Sequence, residues 1–323
     1  MPNPLASDAV QPALTNFSVA LFQEESAHFA DKVFPLVPVG MQAGLYYQFD
    51  TGDLLRDEMQ PLADGAPSAG GGYGLSTGNY ACVVEAFHHD VGPQLAANFK
   101  SQVDMDQAGT RFVTQKARIR MDRRWVTSFF GTGIWNNERA GVAVGPVGTE
   151  FLRWDDPAST PVSDVTEMSN TVRAATGFKP NVLVCSPGAL NALKNHDDVR
   201  DFYKYTSAGP TTEEVLARIF GVERIVEAAS VFNSALGGVA DNVGYIAGNH
   251  ALLCYAAPNP APMTPSAGYN FVWRELAGND TGIAIVKEKT PNTFGTMRYD
   301  ILTAWDARLV SAALGGFFLN AVS

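Results

Sequence analysis

The fold is decided by residues 44–87, which read GLYYQFDTGDLLRDEMQPLADGAPSAGGGYGLSTGNYACVVEAF. Residues 45–50 and 80–87 alternate with the period of two that predicts a half-buried pair of β-strands. Between these runs lie residues 51–78, a stretch of 28 residues, whereas ordinary hairpin loops contain about 2–5 residues. We therefore expect a hairpin arm that projects from its domain, reaches roughly 45 Å at strand rise, and is ordered mainly by neighbouring subunits.

The composition agrees with a chain that contacts copies of itself. Of the 323 residues, 17% are charged, which is low against the usual quarter or so, and this suggests that other copies cover much of the exterior. The net charge of −10 predicts no sequence-wide attraction to nucleic acid. If copies enclose nucleic acid, a negative shell would not adhere to it.

The cysteines and the N-terminus bear on the cellular compartment. Cys82, Cys185 and Cys254 lie in separate apolar runs and form no CxxC pair, so we expect buried, reduced thiols in an intracellular protein. The first residues, MPNPLASDAV, lack the basic and apolar regions of a signal peptide. No stretch approaches the ~18 apolar residues of a membrane span, so a soluble, cytoplasmic chain is predicted.

Two helices flank the arm. The first is predicted over Phe17–Phe34 and is ended by Pro35, after which an extended segment follows. The second is long, from Pro93 or Ala96 to Phe130. Its apolar stripe is expected to repeat every seven residues at Met105, Phe112, Ile119 and Val126, with Ala108 and Phe129 beside them. Its later half, RFVTQKARIRMDRR, contains six basic residues and one acidic residue.

The second half of the chain alternates helices and strands before strands dominate. A helix capped by Ser163 ends at Gly177, a buried strand covers Asn181–Cys185, and a helix follows Ser186. A capping box at Thr211 opens another helix, which Gly221 ends. The further predicted strands are Val222–Val226, Tyr245–Ala257, Tyr269–Glu275, Gly282–Lys287 and alternating stretches within 294–319. This pattern predicts an α+β fold.

No motif in the sequence carries a convincing catalytic, cofactor or metal site. In His88-His89-Asp90, adjacent strand residues point to opposite faces, so at most two can share an ion, and a polar strand end explains them. Ser186 follows a strand and opens a helix, as in a nucleophile elbow, but the G-x-S-x-G motif is missing and an N-cap explains it. The glycines of 69–74 lack a Walker lysine.

The charged residues of the arm and the long helix are the candidate subunit contacts. The basic half of the helix can touch nucleic acid, meet the acids of another copy's arm, or be solvated. We favour subunit contact because no aromatic stacking platform is evident beside it, and exposed pairs contribute so little singly that a network is required. The predicted contact residues are Arg56, Asp57, Glu58, Asp64 and Tyr73 of the arm, and Arg111, Lys116, Arg118, Arg120, Arg123 and Arg124 of the helix.

Several segments resemble the major capsid proteins of tailed bacteriophages, the family with the Johnson fold. The segments are ADKVFPLVPV at Ala30–Val39, YYQFDTGDLLRDE at Tyr46–Glu58, GGGYGLST at Gly70–Thr77, and the YACVVEAFHHDV that begins at Tyr80. The resemblance covers most of the chain and is strongest over residues 15–130. Beyond residue 180 it rests more on the order of elements.

The resemblance implies an N-terminal arm (1–43), an extended hairpin or E-loop (44–90), a peripheral domain with a spine helix (91–177), an axial domain (178–290) and a return to the peripheral domain (291–323). It implies a structural protein, not an enzyme, without cofactor or membrane partner. Its copies would form hexamers and pentamers of an icosahedral shell around double-stranded DNA, without sequence-specific binding. Assembly would occur in the host cytoplasm, with separate scaffolding, portal and decoration proteins as possible partners, and the product would be the virion.

The sequence departs from some relatives in two respects. Those relatives cross-link their subunits through an E-loop lysine, but here no lysine occurs between Lys32 and Lys100, so no covalent linkage through the arm is expected. A cleaved scaffolding extension of about a hundred residues is also not visible; either this is a mature form or scaffolding is a separate protein, and Met1 favours the second. The alternatives are an encapsulin-like compartment and, as a poor third, a hydrolase that uses Ser186 or Cys185.

Overall fold

A computed structural model describes residues 23–49, 51–62, 64–65, 67–99, 105–203, 212–260, 264–290 and 294–323. The helices are α1 (Ala30–Val33), α2 (Thr51–Leu54), α3 (Pro93–Phe99), α4 (Met105–Phe129), α5 (Pro161–Thr176), α6 (Pro187–Asn195), α7 (Asp197–Tyr203), α8 (Glu213–Phe220) and α9 (Arg274–Ala277). The strands are β1 (Leu36–Val39), β2 (Ala43–Phe49), β3 (Leu75–Ala81), β4 (Val83–Val91), β5 (Asn137–Val142), β6 (Glu150–Leu152), β7 (Val182–Cys185), β8 (Arg224–Glu227), β9 (Val231–Asn233), β10 (Val243–Tyr245), β11 (Ala251–Cys254), β12 (Gly268–Trp273), β13 (Ile283–Lys289), β14 (Met297–Leu309) and β15 (Gly315–Leu319).

Sheet I is built around the long strand β14. Its order is β1-β12-β14-β13, and β4 pairs with the other side of β14 in antiparallel register from Val83↔Trp305 to Val91↔Met297. The helix α4 lies across one face of this sheet, where Val113 and Ala117 pack with Tyr299 and Ile301.

The buried stripe of α4 differs from the predicted one. Met105, Phe112, Ile119 and Val126 are only half-buried, and the buried residues are spaced mainly by four: Gly109, Val113, Ala117, Met121, Trp125 and Phe129, with Asp122 beside them. Small residues make this close packing possible, because a Cβ at residue 109 would lie 2.9 Å from Cδ2 of Tyr299. The seven-residue repeat was wrong because it gave most weight to large apolar side chains, although Phe129, which was predicted beside the repeat, is buried.

Sheet II has the order β6-β5-β15-β11-β7-β8. The helices α5, α6 and α8 cover one face, where Met168, Leu190 and Leu216 pack against Leu183 and other alternate strand residues. The opposite face of the sheet packs into the central core, in which Val184, Leu252 and Phe317 meet Trp125 and Phe129 of α4. The helix α4 therefore joins the two sheets.

The hairpin was predicted with the wrong far strand. β2 pairs with β3 from Ala43↔Ala81 to Phe49↔Leu75, and the run that was assigned to one strand over 80–87 is interrupted at Cys82. The backbone N–H of Cys82 donates to Gln42 O at 2.8 Å, and the next residue begins β4 in sheet I. The period of two continues through Cys82, so the pattern alone does not reveal the change of sheet.

Other predicted elements agree in part. The Ser186 cap is confirmed, since its side chain accepts from Ala189 N, and Gly177 and Gly221 end their helices in the left-handed conformation. Ser163 is not a cap, because α5 already begins at Pro161. The predicted strand 245–257 was too long, and residues 274–277 are helical. Residues 17–22, 100–104 and Thr211 lie outside the described part.

The strands do not group along the predicted domain boundary at residue 178. β5 and β6 share sheet II with β7 and β11, whereas β12 and β13 share sheet I with β4. The division itself remains a prediction. None of the helices within the described ranges is long and apolar enough to cross a membrane.

Candidate functional site: the subunit-contact surfaces

The base of the arm is fastened to sheet I by aromatic stacking. Tyr46 and Tyr80 stack on Phe271 of β12 with ring centroids 5.5 and 4.6 Å away. Each tyrosine ring lies over a glycine of the paired strand, Gly78 or Gly44, where a Cβ would come within 2.4 or 2.6 Å of the ring atoms or hydroxyl. The glycines therefore let both rings lie flat against Phe271.

The rest of the arm leaves many apolar side chains uncovered. Leu45 and Tyr47, which alternate with the stacked face of β2, are 67% and 65% exposed. Beyond the hairpin, Met59 is 91% exposed, and Leu54, Leu55, Leu62, Tyr73 and Leu75 are also exposed. Large exposed apolar patches usually mark an interaction site, and this part of the chain concentrates such side chains.

The predicted charged contacts of the arm are exposed and are partly bonded within the arm. Arg56 lies 3.3 Å from Asp53 and 3.5 Å from Glu58. The Asp57 carboxylate accepts from the backbone N–H of Met59 at 3.3 Å. Asp64 is exposed, and Tyr73 is 62% exposed. The structure does not bring any of these residues to the basic half of α4 of the same chain.

Most of the predicted basic residues of α4 have partners within their own chain. Arg120 donates to Glu85 Oε1 from Nε at 2.9 Å and from Nη2 at 2.6 Å, and this bonding raises the pKa of the guanidinium. Arg124 lies 3.6 Å from Glu85 and 3.8 Å from Asp306. These arginines hold α4 to β4 and β14 and are not free for another copy.

The remaining basic residues differ in their surroundings. Arg118 contacts Glu25 at 2.5 Å, and the Arg123 guanidinium lies 4.6 Å from the ring centroid of Phe232. The Lys116 ammonium lies 5.5 Å from the ring of Phe112. Arg111 and Lys116 are exposed, and neither forms an ion pair with a residue in the described ranges.

A buried carboxylate in the basic run was missed at the sequence level. Asp122, 1% exposed, accepts from His28 Nδ1 at 2.6 Å, Phe29 N at 3.2 Å and Ala30 N at 3.0 Å. It therefore caps α1 from another helix and fixes the N-terminal segment to α4. The signal available in the sequence was that Asp122 is the one acid among six basic residues of this run.

The residues weighed for chemistry are placed unfavourably for it. Ser186 is fully buried and its Oγ accepts from Ala189 N at 3.4 Å, while burial raises the pKa of the Cys185 thiol far above its ordinary value. His89 packs on Phe112 at 5.0 Å, and Asp90 pairs with Arg298 at 2.8 Å. No group of three or more potential ligands in the described ranges is arranged to hold a metal ion.

Other exposed apolar residues lie far from the arm in sequence. Leu236 and Val239 lie between β9 and β10 and are 81% and 65% exposed. Val144 and Val147 lie between β5 and β6 and are 82% and 76% exposed. Phe294, near the turn between β13 and β14, is 95% exposed. The chain thus exposes apolar side chains in several connecting segments outside the arm.

Sequence comparison connects this chain to phage capsids. Residues 152–233 match the family model described as phage major capsid protein E. The major capsid protein of Burkholderia phage BcepMu is 28% identical over 116 residues, which are 34% of this chain and 36% of that protein. The match thus spans about a third of the curated relative.

Structural comparison extends over the whole chain. A phage-related protein from Bordetella bronchiseptica has a TM-score of 0.67 at 21% identity, with 97% of each chain covered. The capsid of Cyanophage P-SCSP1u has a TM-score of 0.64 at 7% identity, covering 99% of this chain and 95% of that chain. The SrpI encapsulin of Synechococcus elongatus has a TM-score of 0.55 at 11% identity, covering 99% and 96%.

At these identities the structural likenesses concern the fold, and the sequence matches are a similarity over residues 152–233 and over 116 residues, respectively. The α+β fold of this chain is the fold of phage capsid subunits. The resemblance to the major capsid proteins of tailed bacteriophages is thereby confirmed in both sequence and fold.

Proposed function

We propose that this chain is a structural major capsid protein whose copies assemble as hexamers and pentamers of an icosahedral shell around double-stranded DNA. The observation that carries the proposal is the arm, whose large apolar side chains in the described residues are exposed: Leu54, Leu55, Met59, Leu62, Tyr73 and Leu75. A chain alone in water gains nothing from such a surface, whereas burial between copies contributes roughly 25 cal/mol for each Å² of apolar area.

The sheets support a revised assignment of domains within this proposal. Sheet II with α5, α6 and α8 would be the axial domain, which then includes residues 137–254 and the strand 315–319. Sheet I with α4 would be the peripheral domain, which includes residues 268–309. The hairpin base over Phe271 would be the root of the E-loop.

The candidate contact residues keep unequal roles in the proposal. Arg56, Asp57, Glu58, Asp64 and Tyr73 of the arm are exposed and remain proposed contacts. Of the helix residues, Arg111 and Lys116 are the best placed to meet another copy, because Arg118, Arg120 and Arg124 already have acidic partners and Arg123 lies on Phe232.

Further partners follow from the proposed role. Scaffolding, portal and decoration proteins would be separate chains, and assembly would take place in the host cytoplasm. The net charge of −10 favours enclosure of DNA without adhesion to it. The product would be the virion shell.

Electron microscopy of the purified chain, together with mass spectrometry of phage particles, tests the proposal. Closed shells of uniform diameter are expected, and the chain should be a major component of particles that contain DNA. A protein that stays monomeric at all concentrations and is not found in phage particles would overturn it. Denaturing gels of mature particles should show no ladder of linked subunits, since residues 33–99 contain no lysine.

Deletion of Met59–Gly74 tests the role of the arm separately. The shortened subunit should fold, because the segment lies outside every described core cluster, but it should assemble poorly. Normal shells from this variant would contradict the proposed contact. Circular dichroism of the dissociated subunits provides the control for folding.

An encapsulin-like compartment is the second candidate, and the fold similarity to the SrpI encapsulin is the observation that favours it. Particles that enclose proteins and no DNA in the native host would support it. A hydrolase is a poor third candidate. Labelling by a serine- or thiol-reactive probe that Ser186→Ala or Cys185→Ala abolishes would revive it, against the burial of both residues.

A further inference from the structure

The last strand of the arm enters sheet I at a single residue, Cys82. The hairpin strand β3 ends at Ala81, and β4 begins at Val83, which pairs with Trp305 of β14. Cys82 is 1% exposed, and its thiol donates to the carbonyl oxygen of Phe271 at 3.5 Å. A change in the direction of the arm relative to sheet I therefore displaces the backbone next to Cys82.

A side chain of β14 bonds to the arm where the backbone ladder ends. The N–H of Ala81 donates to Oδ2 of Asp306 at 2.9 Å, and Arg308 donates from Nε to the same oxygen at 2.6 Å. Asp306 is 5% exposed and pairs in register with Phe271, on the face where the base of the arm stacks. Because a charged acceptor forms stronger hydrogen bonds than a neutral one, this carboxylate fixes the end of β3 to sheet I.

The same carboxylate is reached by a cation from the opposite side of the sheet. Nη2 of Arg124, on α4, lies 3.8 Å from Oδ1 of Asp306. Nη1 of Arg124 lies 3.6 Å from Oε2 of Glu85 and 3.5 Å from the carbonyl oxygen of Trp305. The guanidinium can pass the sheet here because β4 pairs with β14 no further than Trp305. We call the group formed by Arg124, Asp306 and the N–H of Ala81 the arm joint.

The other fastenings of the base lead to β12 and to the end of β14. Tyr46 donates from its hydroxyl to the carbonyl oxygen of Leu309 at 3.3 Å, and Gln48 donates from Nε2 to that of Val310 at 2.7 Å. These donors are side chains, which can follow a small rotation of the arm, and burial of the stacked rings is non-directional. The donor in the arm joint is the backbone of Ala81 itself, and hydrogen bonds weaken steeply away from their preferred angle. The arm joint is therefore the part of the base that responds most to the direction of the arm.

We propose that Asp306 is a positioning residue that couples the direction of the arm to α4 within one subunit. While the arm joint is closed, the arm has one direction before any other copy is met. A shift of α4 along sheet I moves Arg124, draws the carboxylate away from the N–H of Ala81, and leaves the arm free to turn on its stacked base. The consequence for assembly rests on the proposed function, because one arm direction gives one spacing between copies. The joint itself belongs to the single subunit.

Cys82 is a native reporter of the arm joint. Its thiol is buried, as are those of Cys185 and Cys254, which lie in β7 and β11 of sheet II and serve as internal references. The rate of alkylation by N-ethylmaleimide is measured at each cysteine of the dissociated subunit by mass spectrometry. Because a buried thiol reacts only when its surroundings open, the comparison separates local opening at the joint from unfolding of the whole subunit.

Two substitutions open the arm joint from opposite sides. Asp306→Asn keeps a hydrogen-bond acceptor and removes the charge that Arg124 contacts, and Arg124→Gln removes the cation while Glu85 keeps Arg120 as its partner. Each should accelerate the alkylation of Cys82 about tenfold, since hydrogen bonds to charged groups are the stronger ones, and the two reference cysteines should be unaffected. The double variant should exceed the single variants by less than about threefold, because both changes break one contact.

The matched control is Arg298→Gln, at the other end of the same pair of strands. Arg298 donates to Asp90 of β4 from Nε at 2.8 Å and from Nη2 at 2.9 Å. The substitution removes a bidentate ion pair between β4 and β14 near the Val91↔Met297 end of the ladder, away from the arm joint. Alkylation of Cys82 should therefore stay within about twofold of the wild-type rate.

Spin labels measure the direction of the arm itself. Leu75→Cys on β3 and Arg173→Cys on α5 replace exposed residues, and the native thiols are buried, so pulsed dipolar spectroscopy gives one distribution of distances between the two labels. In the dissociated subunit this distribution should be narrow in the otherwise unchanged chain and with Arg298→Gln. It should be broader with Asp306→Asn or Arg124→Gln.

The results that overturn the proposal are distinct from one another. Alkylation of Cys82 that is unchanged in Asp306→Asn would show that the arm is positioned without the carboxylate. Acceleration in Asp306→Asn that Arg124→Gln does not reproduce would confine the contact to sheet I and remove the coupling to α4. Equal acceleration at all three cysteines would show a general loss of stability instead. None of these results depends on shells: a wild type that forms no shells rejects the proposed function and leaves the arm joint standing.

Discussion

Replacement of Asp122 by alanine is expected to cost a large share of the subunit's stability. The carboxylate accepts from His28 Nδ1, Phe29 N and Ala30 N, and it is 1% exposed. In Asp122→Ala these donors lose their acceptor inside the protein, and each unsatisfied buried donor costs about 1 kcal/mol or more. The sum is about 3 kcal/mol, and about 5 kcal/mol is an upper value for breaking a buried pair.

Urea denaturation of the dissociated subunit measures this loss, with hydrogen exchange as a local readout. The amides of Phe29 and Ala30 should exchange faster in Asp122→Ala, and amides of sheet II should not. His28→Ala, which removes one donor and leaves the carboxylate bonded to the backbone, is the graded control and should lose about 1 kcal/mol. A loss below about 1 kcal/mol in Asp122→Ala, with unchanged exchange at α1, would refute the reasoning.

Three further predictions concern other parts of the chain. Burial raises the pKa of Asp164 to about 6, so between about pH 4 and pH 6 the folded state keeps a proton that the unfolded chain releases, and the stability falls as the pH rises through this window. In urea denaturation, Asp164→Asn should therefore be about 1 kcal/mol more stable than the wild type at pH 7.5 and little different at pH 4; the value allows for the partial exposure of the carboxyl group. Gly78→Ala should push the ring of Tyr46 away and lower the free energy of unfolding by about 1 kcal/mol, whereas the control Gly72→Ala, with nothing within 4 Å of the added Cβ, should leave it unchanged. Equal unfolding midpoints for the two variants would contradict this prediction. Phe271→Ala should cost about 3–5 kcal/mol and speed limited proteolysis of the arm before that of sheet II, and unchanged cleavage rates would count against the stacking.

The arm, the long helix and the α+β class were predictable because each depends on a local signal. The hairpin followed from alternation on both sides of a long gap, and Ser186 and Gly177 marked helix ends by their own chemistry. The stripe of α4 was not predictable in this way, since Gly109 is buried by the approach of Tyr299, which is distant in the chain. The periodicity of apolar residues shows where large side chains recur, but it does not show where a distant residue packs directly against the helix backbone.

The contact residues were the hardest part to predict. The sequence shows six basic residues in one half of the helix, but it does not show that Glu85 and Asp306 neutralise Arg120 and Arg124 from β4 and β14. Those pairs join positions far apart in the chain. Only basic residues that form no ion pair within the chain are available to another copy, and this set is known only from the folded structure.

The strand order of sheet II places a constraint on when the subunit can exist. β15 lies between β5 and β11, so Gly315–Leu319 fill the middle of a sheet whose other strands are synthesised much earlier. Closing such distant pairs is slow. While residue 319 is still in the ribosome, β5 and β11 each expose an unpaired edge, and the sheet is split in two. If copies of this chain assemble as proposed, a nascent chain cannot yet present a complete sheet II to its neighbours, and only a chain whose synthesis has passed β15 can do so.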